Sequence, residues 1–189
     1  MRLAIGLLVF GLLFSHSTLA RDVAGVELPE TVRLSPNSSP LVLNGAGIRK
    51  KFFVKVYVAG LYLPGHQTST AATINSPGPK RIRMHFLHKE VEREKLVNGW
   101  QEGFENNLDS NSFKQVGPRL AQFNQLFRSM RQDDVIDLDF HPQGETRVLF
   151  NGELQGTIKG ADFYAALLKV WLGDSPADAK LKKALLAGQ

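Results

Sequence analysis

The chain has 189 residues, no cysteine and a formal net charge of +5, from 23 Lys and Arg against 18 Asp and Glu. Without cysteine there is no disulfide, no thiolate metal site, no thiol redox chemistry and no lipid-modified N-terminal cysteine. The basic excess favours an anionic partner, yet the cations are dispersed and densest only at Arg49-Lys50-Lys51, so a nucleic-acid partner, which needs a basic stripe interleaved with aromatics, is not expected.

Met1-Arg2 is a short positive start. Leu3 to Phe14 is apolar apart from Gly6 and Gly11, and Thr18-Leu19-Ala20 puts small residues where a signal peptidase reads. This order predicts a secretory signal peptide over residues 1–20 and export, in a bacterium to the periplasm. An apolar run this short falls below the roughly 18 residues of a membrane span, although an uncleaved N-terminal anchor stays open as an alternative. No later run is long enough to span a bilayer, so no stable membrane span is expected after cleavage. Residues 21–189 then form one domain, large enough for its own core. The oligomeric state is left open.

Val26 and Leu28 alternate ahead of Pro29, as at a strand end. Leu41 to Leu43 is a short apolar run that Asn44-Gly45 is expected to punctuate. Phe52 to Leu63, rich in Val, Tyr and Phe and closed by Pro64-Gly65, is the strongest predicted strand and is placed centrally. Ser69 to Ile74 reads as a short helical turn. Arg81 to His88 alternates, with Ile82, Met84 and Phe86 on one face and Arg81, Arg83 and His85 on the other.

The period then lengthens. Leu96, Trp100, Phe104 and Leu108 predict an amphipathic helix over about 92–108. A second helix carries Leu120, Phe123, Phe127 and Met130, with Pro118 expected near its first turn, because an interior proline costs about 3 kcal/mol. Ile136, Leu138 and Phe140 alternate with Asp137 and Asp139, which read as the outer face of a strand. Thr146 to Phe150, Asn151-Gly152 and Glu153 to Ile158 predict a hairpin on the preferred Asn-Gly turn. Phe163, Leu167, Val170 and Trp171 make a third helix closed by Gly173, and a last helix from Pro176 carries Leu181 and Leu185. Strands, two helices, strands, two helices: this segregation predicts an α+β fold, an antiparallel sheet with helices packed on one face.

Familiar catalytic and cofactor motifs fail. Gly45-Ala46-Gly47 lacks the third glycine of a dinucleotide loop, since position 50 is Lys50, and it precedes a strand. There is no phosphate loop and no nucleophile elbow. His85 and His88 lie three apart on a strand, hence on opposite faces, which is poor metal-ligand spacing. Asp133, Asp134, Asp137 and Asp139 lack the glycine and closing glutamate of a calcium loop. No cofactor and no metal is expected.

One segment is specific. LVLNGAGIRKKFFVKVYVAGLYLP, from Leu41 to Pro64, resembles the conserved block of the chalcone isomerase-like family, an apolar strand, Gly-Ala-Gly-x-Arg and a strand ending Gly-x-Tyr-Leu. Here these are Gly45-Ala46-Gly47-Ile48-Arg49 and Gly60-Leu61-Tyr62-Leu63. The order of the later elements fits the same fold, an open-faced β-sandwich in which the ligand lies between the large sheet and its helices. The glycines are read as letting a backbone approach closely and adopt φ > 0, with Arg49 presenting a fork of donors after such a turn. In the catalytic members the resemblance implies that this arginine stabilises an anionic nucleophile beside several hydroxyl residues. Their matching positions fall on Tyr57, near Glu92, on Gly99 beside Asn98, and near Gln155. One position is thus matched and the others are not, and proton transfer by a positioned group is typically worth 10²–10⁴-fold.

The resemblance therefore implies a non-catalytic member that binds a small hydrophobic anion such as a fatty acid. Its expected site is Arg49 for the head group, Tyr57 and Asn98 beside it, and Trp100 and Phe104 as an apolar wall, with Phe53 or Val56 from the strand. Two alternatives stand: an intramolecular lyase of the ring-closing type, and a structural or partner-binding domain whose cleft its own side chains close.

Overall fold

The computed structural model describes residues 20–188. All of the predicted signal segment except Ala20 lies outside the described residues. In chain order the elements are β1 (Ala20–Val23), β2 (Val26–Pro29), β3 (Thr31–Val32), β4 (Leu41–Lys51), β5 (Val54–Leu63), α1 (Thr70–Asn75), β6 (Lys80–Phe86) and β7 (Glu90–Val91). There follow α2 (Arg93–Glu105), α3 (Ser110–Gln125), β8 (Met130–Arg131), β9 (Val135–His141), β10 (Glu145–Phe150), β11 (Glu153–Lys159), α4 (Ala161–Leu172) and α5 (Ala179–Leu185).

The large sheet has seven strands in the order β11-β10-β9-β6-β5-β4-β3, all antiparallel. This is the expected α+β architecture, with β5 in the interior of the sheet. Alternation sets the faces. Tyr57, Ala59 and Leu61 of β5, Ile82, Met84 and Phe86 of β6, and Ile136, Leu138 and Phe140 of β9 join α2, α3, α4 and α5 in the main core. The Asn151-Gly152 turn between β10 and β11 has φ of 51° and 85°, both left-handed, as a type I′ turn requires.

Part of the opposite face is packed as well. Val26 and Leu28 of the β1–β2 hairpin pack with Leu41, Leu43, Val58 and Tyr62 in a second, smaller core. Asp137 and Asp139, expected on an outer face, are 3% and 1% exposed. The reason lies across the strand pair. The β6–β9 register sets Arg81 opposite Asp139 and Arg83 opposite Asp137. Arg81 grips Asp139 through two bonds of 2.6 Å, and Arg83 grips Asp137 through two of 2.8 Å. Paired carboxylates of this kind can be covered; lone ones cannot.

Four further expectations need correction. Asn44-Gly45 does not end a strand: β4 runs through it, from Leu41 to Lys51, 11 residues in all. Phe52 and Phe53 are not strand residues but the two-residue turn between Lys51 and Val54. Pro118 lies well inside α3 rather than in its first turn, which Asp109 caps by accepting from the Asn111 and Ser112 N–H groups. Pro118 is on the exposed side of the helix, where water can meet the carbonyl its ring leaves without a donor. Met130, read as the end of the same helix, belongs to β8.

Lys80 gives a pH test of this core. It is 1% exposed, its Nζ donates to the Ser76 and Gly78 carbonyls, and it lies 4.9 Å from the Phe140 ring centroid. Burial lowers its pKa from 10.5 to about 8. Between those values the unfolded chain still holds a proton that the folded protein has released. Stability should therefore rise with pH from about 8 to 10.5 at this group. Urea midpoints across that range, compared with those of Lys80→Met, check it: the variant should lose the rise, and a parallel pH dependence in both would contradict it.

Candidate functional site

The site begins with the packing of α5 on β4. Gly45, Gly47 and Arg49 alternate onto the helix-facing side of β4. A Cβ at Gly45 would sit 2.2 Å from the Ala184 carbonyl oxygen, and one at Gly47 would sit 2.8 Å from the Ala184 Cβ. Of the two roles read from the sequence, the turn fails, since neither glycine has a left-handed φ, and the close backbone approach holds. The glycines let a helix lie directly on the strand. Asn44 is the extra residue of a bulge between Leu43 and Gly45, and its Nδ2 donates to the Gln67 and Leu185 carbonyls at 2.9 and 2.8 Å. That ties down the end of α5. At its other end Asp178 caps the helix, accepting from Lys180 and Leu181, and also accepts from the Lys50 N–H at 3.1 Å. The helix starts too late in the chain to cover Arg49, which is left on the same face, half-buried.

A second bulge completes the wall. Arg49 pairs with Tyr57 but Lys50 pairs with Lys55, so Val56 is unmatched. Its carbonyl accepts instead from the Leu87 and His88 N–H groups. The bulge brings Val56 and Tyr57, neighbours in sequence, to one cavity, together with the cross-strand pair Lys51 and Val54. The cavity holds about 420 Å³ and lies between this end of the hairpin and α2, within the range of about 300–1,000 Å³ for small-molecule sites. Met84, Val91, Leu96, Trp100 and Val170 add apolar wall; Lys95, Asn98, Gly99 and Glu102 from α2, with His88 and Glu90, add polar wall.

Arg49 is available. Its Cζ lies 5.9 Å from the Tyr57 ring centroid, near enough for a cation–π contact, and among the described residues its guanidinium makes no hydrogen bond or ion pair. Asp178 is the carboxylate that feels it. Burial pushes the Asp178 carboxyl up, but the Leu181, Lys50 and Lys180 N–H groups and the Arg49 charge outweigh this and hold it below the usual range. Tyr57 is buried, and that burial raises its pKa against the opposing pull of Arg49 and Trp171. It is thus a neutral phenol. Its oxygen accepts from Trp171 Nε1 at 2.9 Å, and among the described residues its own proton has no acceptor. The floor is rigid: Trp100 meets Trp171 and Phe123 edge-on, both at 5.6 Å, and Phe127 at 5.4 Å.

Of the residues expected at the site, Arg49, Tyr57, Asn98 and Trp100 line this cavity, as does Val56. Phe104 does not. One helical turn beyond Trp100, it is fully buried, with its ring 5.5 Å from that of Phe163. Phe53 is also outside, 101% exposed at the turn. Glu92, which precedes α2, and Gln155, exposed on β11, are not on the wall either. Sequence reasoning missed Val54, Met84, Val91, Leu96, His88 and Lys95. Met84 and Leu96 were legible as core positions, but nothing in their spacing separates a core contact from a cavity wall.

The profile of the chalcone isomerase-like family matches residues 20–187. Among solved structures, the chain is similar to the crystal structure of a fatty-acid binding protein of Arabidopsis thaliana. The two share 18% sequence identity at a TM-score of 0.68, over 89% of this chain and 95% of that one. At that identity the likeness is one of fold. No curated protein sequence matches the chain. Among the described residues no helix is long and apolar enough to cross a membrane.

Proposed function

The chain belongs to the chalcone isomerase-like family, and within it we propose a non-catalytic member that binds a small hydrophobic acid, a fatty acid being the type, with the carboxylate on Arg49. The observation that carries this is the Arg49–Tyr57 pair. The two residues face each other across β4 and β5 on the wall of one cavity, and each has donors that no described residue takes up. A carboxylate accepts both, and charge-assisted bonds of this kind are about twice as strong as neutral ones. Val54, Val56, Met84, Leu96 and Trp100 offer apolar surface for a tail. The family's fold in a fatty-acid binding protein supports the same reading. Ring closure would need several proton-transferring groups beside the arginine; of the matched positions only Tyr57 offers one on the cavity wall, since Gly99 has no side chain and the positions near Glu92 and Gln155 lie off it. An open cavity beside Tyr57 and Trp100 also weighs against a cleft closed by its own side chains.

We also propose export with cleavage after Ala20. One mass-spectrometric experiment reads both proposals on the purified protein. The denatured chain should begin at Arg21 or a near neighbour, and the native protein should carry an extra mass released as a carboxylic acid. An intact Met1 would remove cleavage. A native protein that carries no acid, and takes up none when offered palmitic acid, would remove the binding function.

A further inference from the structure

The turn between β4 and β5 is the most exposed apolar feature among the described residues. Phe52 is 87% exposed and Phe53 101%, and Val54 beside them is 43% exposed. The conformation makes this harder to dismiss. Phe52 has φ of 55°, a left-handed backbone that a β-carbon disfavours and that hairpin turns usually give to glycine or asparagine. The chain follows that rule with Asn151-Gly152 and breaks it here. The hairpin's own folding gains nothing from two phenylalanines in water at a strained position.

The charges around them are equally one-sided. From Arg49 to Lys55 four of seven residues are cationic and none is acidic, and Lys50, Lys51 and Lys55 are exposed. The acidic groups near this end are Asp178, engaged by the Lys50 N–H, and Glu90 and Glu102 on the cavity wall, all of them outside the hairpin.

We propose that this hairpin turn docks the protein on an anionic lipid surface, with Phe52 and Phe53 entering the interfacial layer and Lys50, Lys51 and Lys55 at the headgroup phosphates. Aromatic side chains tolerate the boundary between headgroups and acyl chains, and lysines hold their charge in the headgroup layer while their stems lie along apolar surface. Charge complementarity selects lipid: a ring of cations around an apolar point matches an anionic bilayer, where each Lys near the surface adds attraction that salt screens. The cavity reaches the same place. Phe52 of the turn and the flanking pair Lys51 and Val54 belong to its wall. A docked protein holds the cavity mouth against the bilayer, so an acid can pass between membrane and cavity without its tail crossing water. That last step rests on the acid-binding reading; the docking itself rests on the hairpin alone.

The test is co-sedimentation of the purified protein with vesicles of phosphatidylcholine and phosphatidylglycerol in equal parts, and with phosphatidylcholine alone. The protein should bind the mixed vesicles, bind less as salt is added, and bind the neutral ones weakly. Phe53→Ser should lower partitioning about tenfold, and Lys50→Glu with Lys55→Glu by about tenfold or more. Both native tryptophans are buried, so the emission of Phe53→Trp reports the turn and should shift to the blue on the mixed vesicles. Phe53→Ser should keep the wild-type urea midpoint. Equal partitioning of wild type and Phe53→Ser, no binding to the anionic vesicles, or an unshifted Phe53→Trp emission would overturn the docking. Acid binding in solution, measured on the same preparations, would still be there in each case, which separates failure of the docking from failure of the proposed function.

Discussion

Asp139→Ala should lower the free energy of unfolding by about 3–5 kcal/mol. Arg81, 7% exposed, makes its two shortest bonds, both 2.6 Å, to the Asp139 carboxylate. With that partner gone its nearest acidic contact is Asp137 at 3.5 Å, and Asp137 is already held by Arg83. The cost is that of a guanidinium left buried with half its donors unmet, not the net worth of the pair. A control isolates this: Arg81→Met combined with Asp139→Leu removes both charges and should lose much less than Asp139→Ala. Urea unfolding at unchanged slope measures both. A double variant as unstable as the single one would mean that the pair itself, rather than the stranded arginine, sustains the far side of the sheet.

Arg49→Ala should weaken binding of a long-chain acid by about 1.5–3 kcal/mol, the range for hydrogen bonds to a charged group. Arg49→Lys should recover only part of that, because a point charge replaces a planar fork. Lys50→Ala should change little. Its backbone N–H bonds Asp178, a contact that alanine keeps, and its side chain is exposed and off the cavity wall. Folding should depend little on Arg49, since among the described residues its guanidinium makes no hydrogen bond or ion pair and only the Tyr57 ring contact would be lost. Titration of the three variants by calorimetry reads the series, and an undiminished affinity in Arg49→Ala would place the carboxylate elsewhere.

Much of the fold was legible because its signals are local. Ile82, Met84 and Phe86 declare a face by alternation, Asn151-Gly152 declares a turn by its backbone preference, and Ser69 sits where it caps α1 by accepting from the Ala72 N–H. The errors come from partners distant in sequence. Asn44-Gly45 looks like a break until α5, about 140 residues on, is seen to lie on Gly45 and to take the Asn44 amide. Asp137 and Asp139 look solvent-facing until Arg81 and Arg83 meet them across the sheet. Phe52 and Phe53 have strand propensity, and only the pairing of Lys51 with Val54 puts them in a turn.

The site shows the same division. Arg49 and Tyr57 were reachable through the family motif, and Trp100 through its place on a helix face. Phe104 was reached by the same logic and lies elsewhere. Positions four apart on a helix point the same way but at different depths along it, and Leu96 and Trp100 are level with the cavity while Phe104 is beyond it. The bulge at Val56, which sets Val56 and Tyr57 together on the wall, has no signature in the sequence, because it is a property of the pairing between two strands.

The central claim is that Arg49 holds a carboxylate. The measurement closest to it is calorimetric titration of the wild-type protein with palmitic acid and with its methyl ester, which share a tail and differ in the charge of the head. The acid should bind about tenfold more tightly or better, and Arg49→Ala should erase that preference while leaving the ester where it was. Equal affinities of the wild-type protein for acid and ester would contradict it.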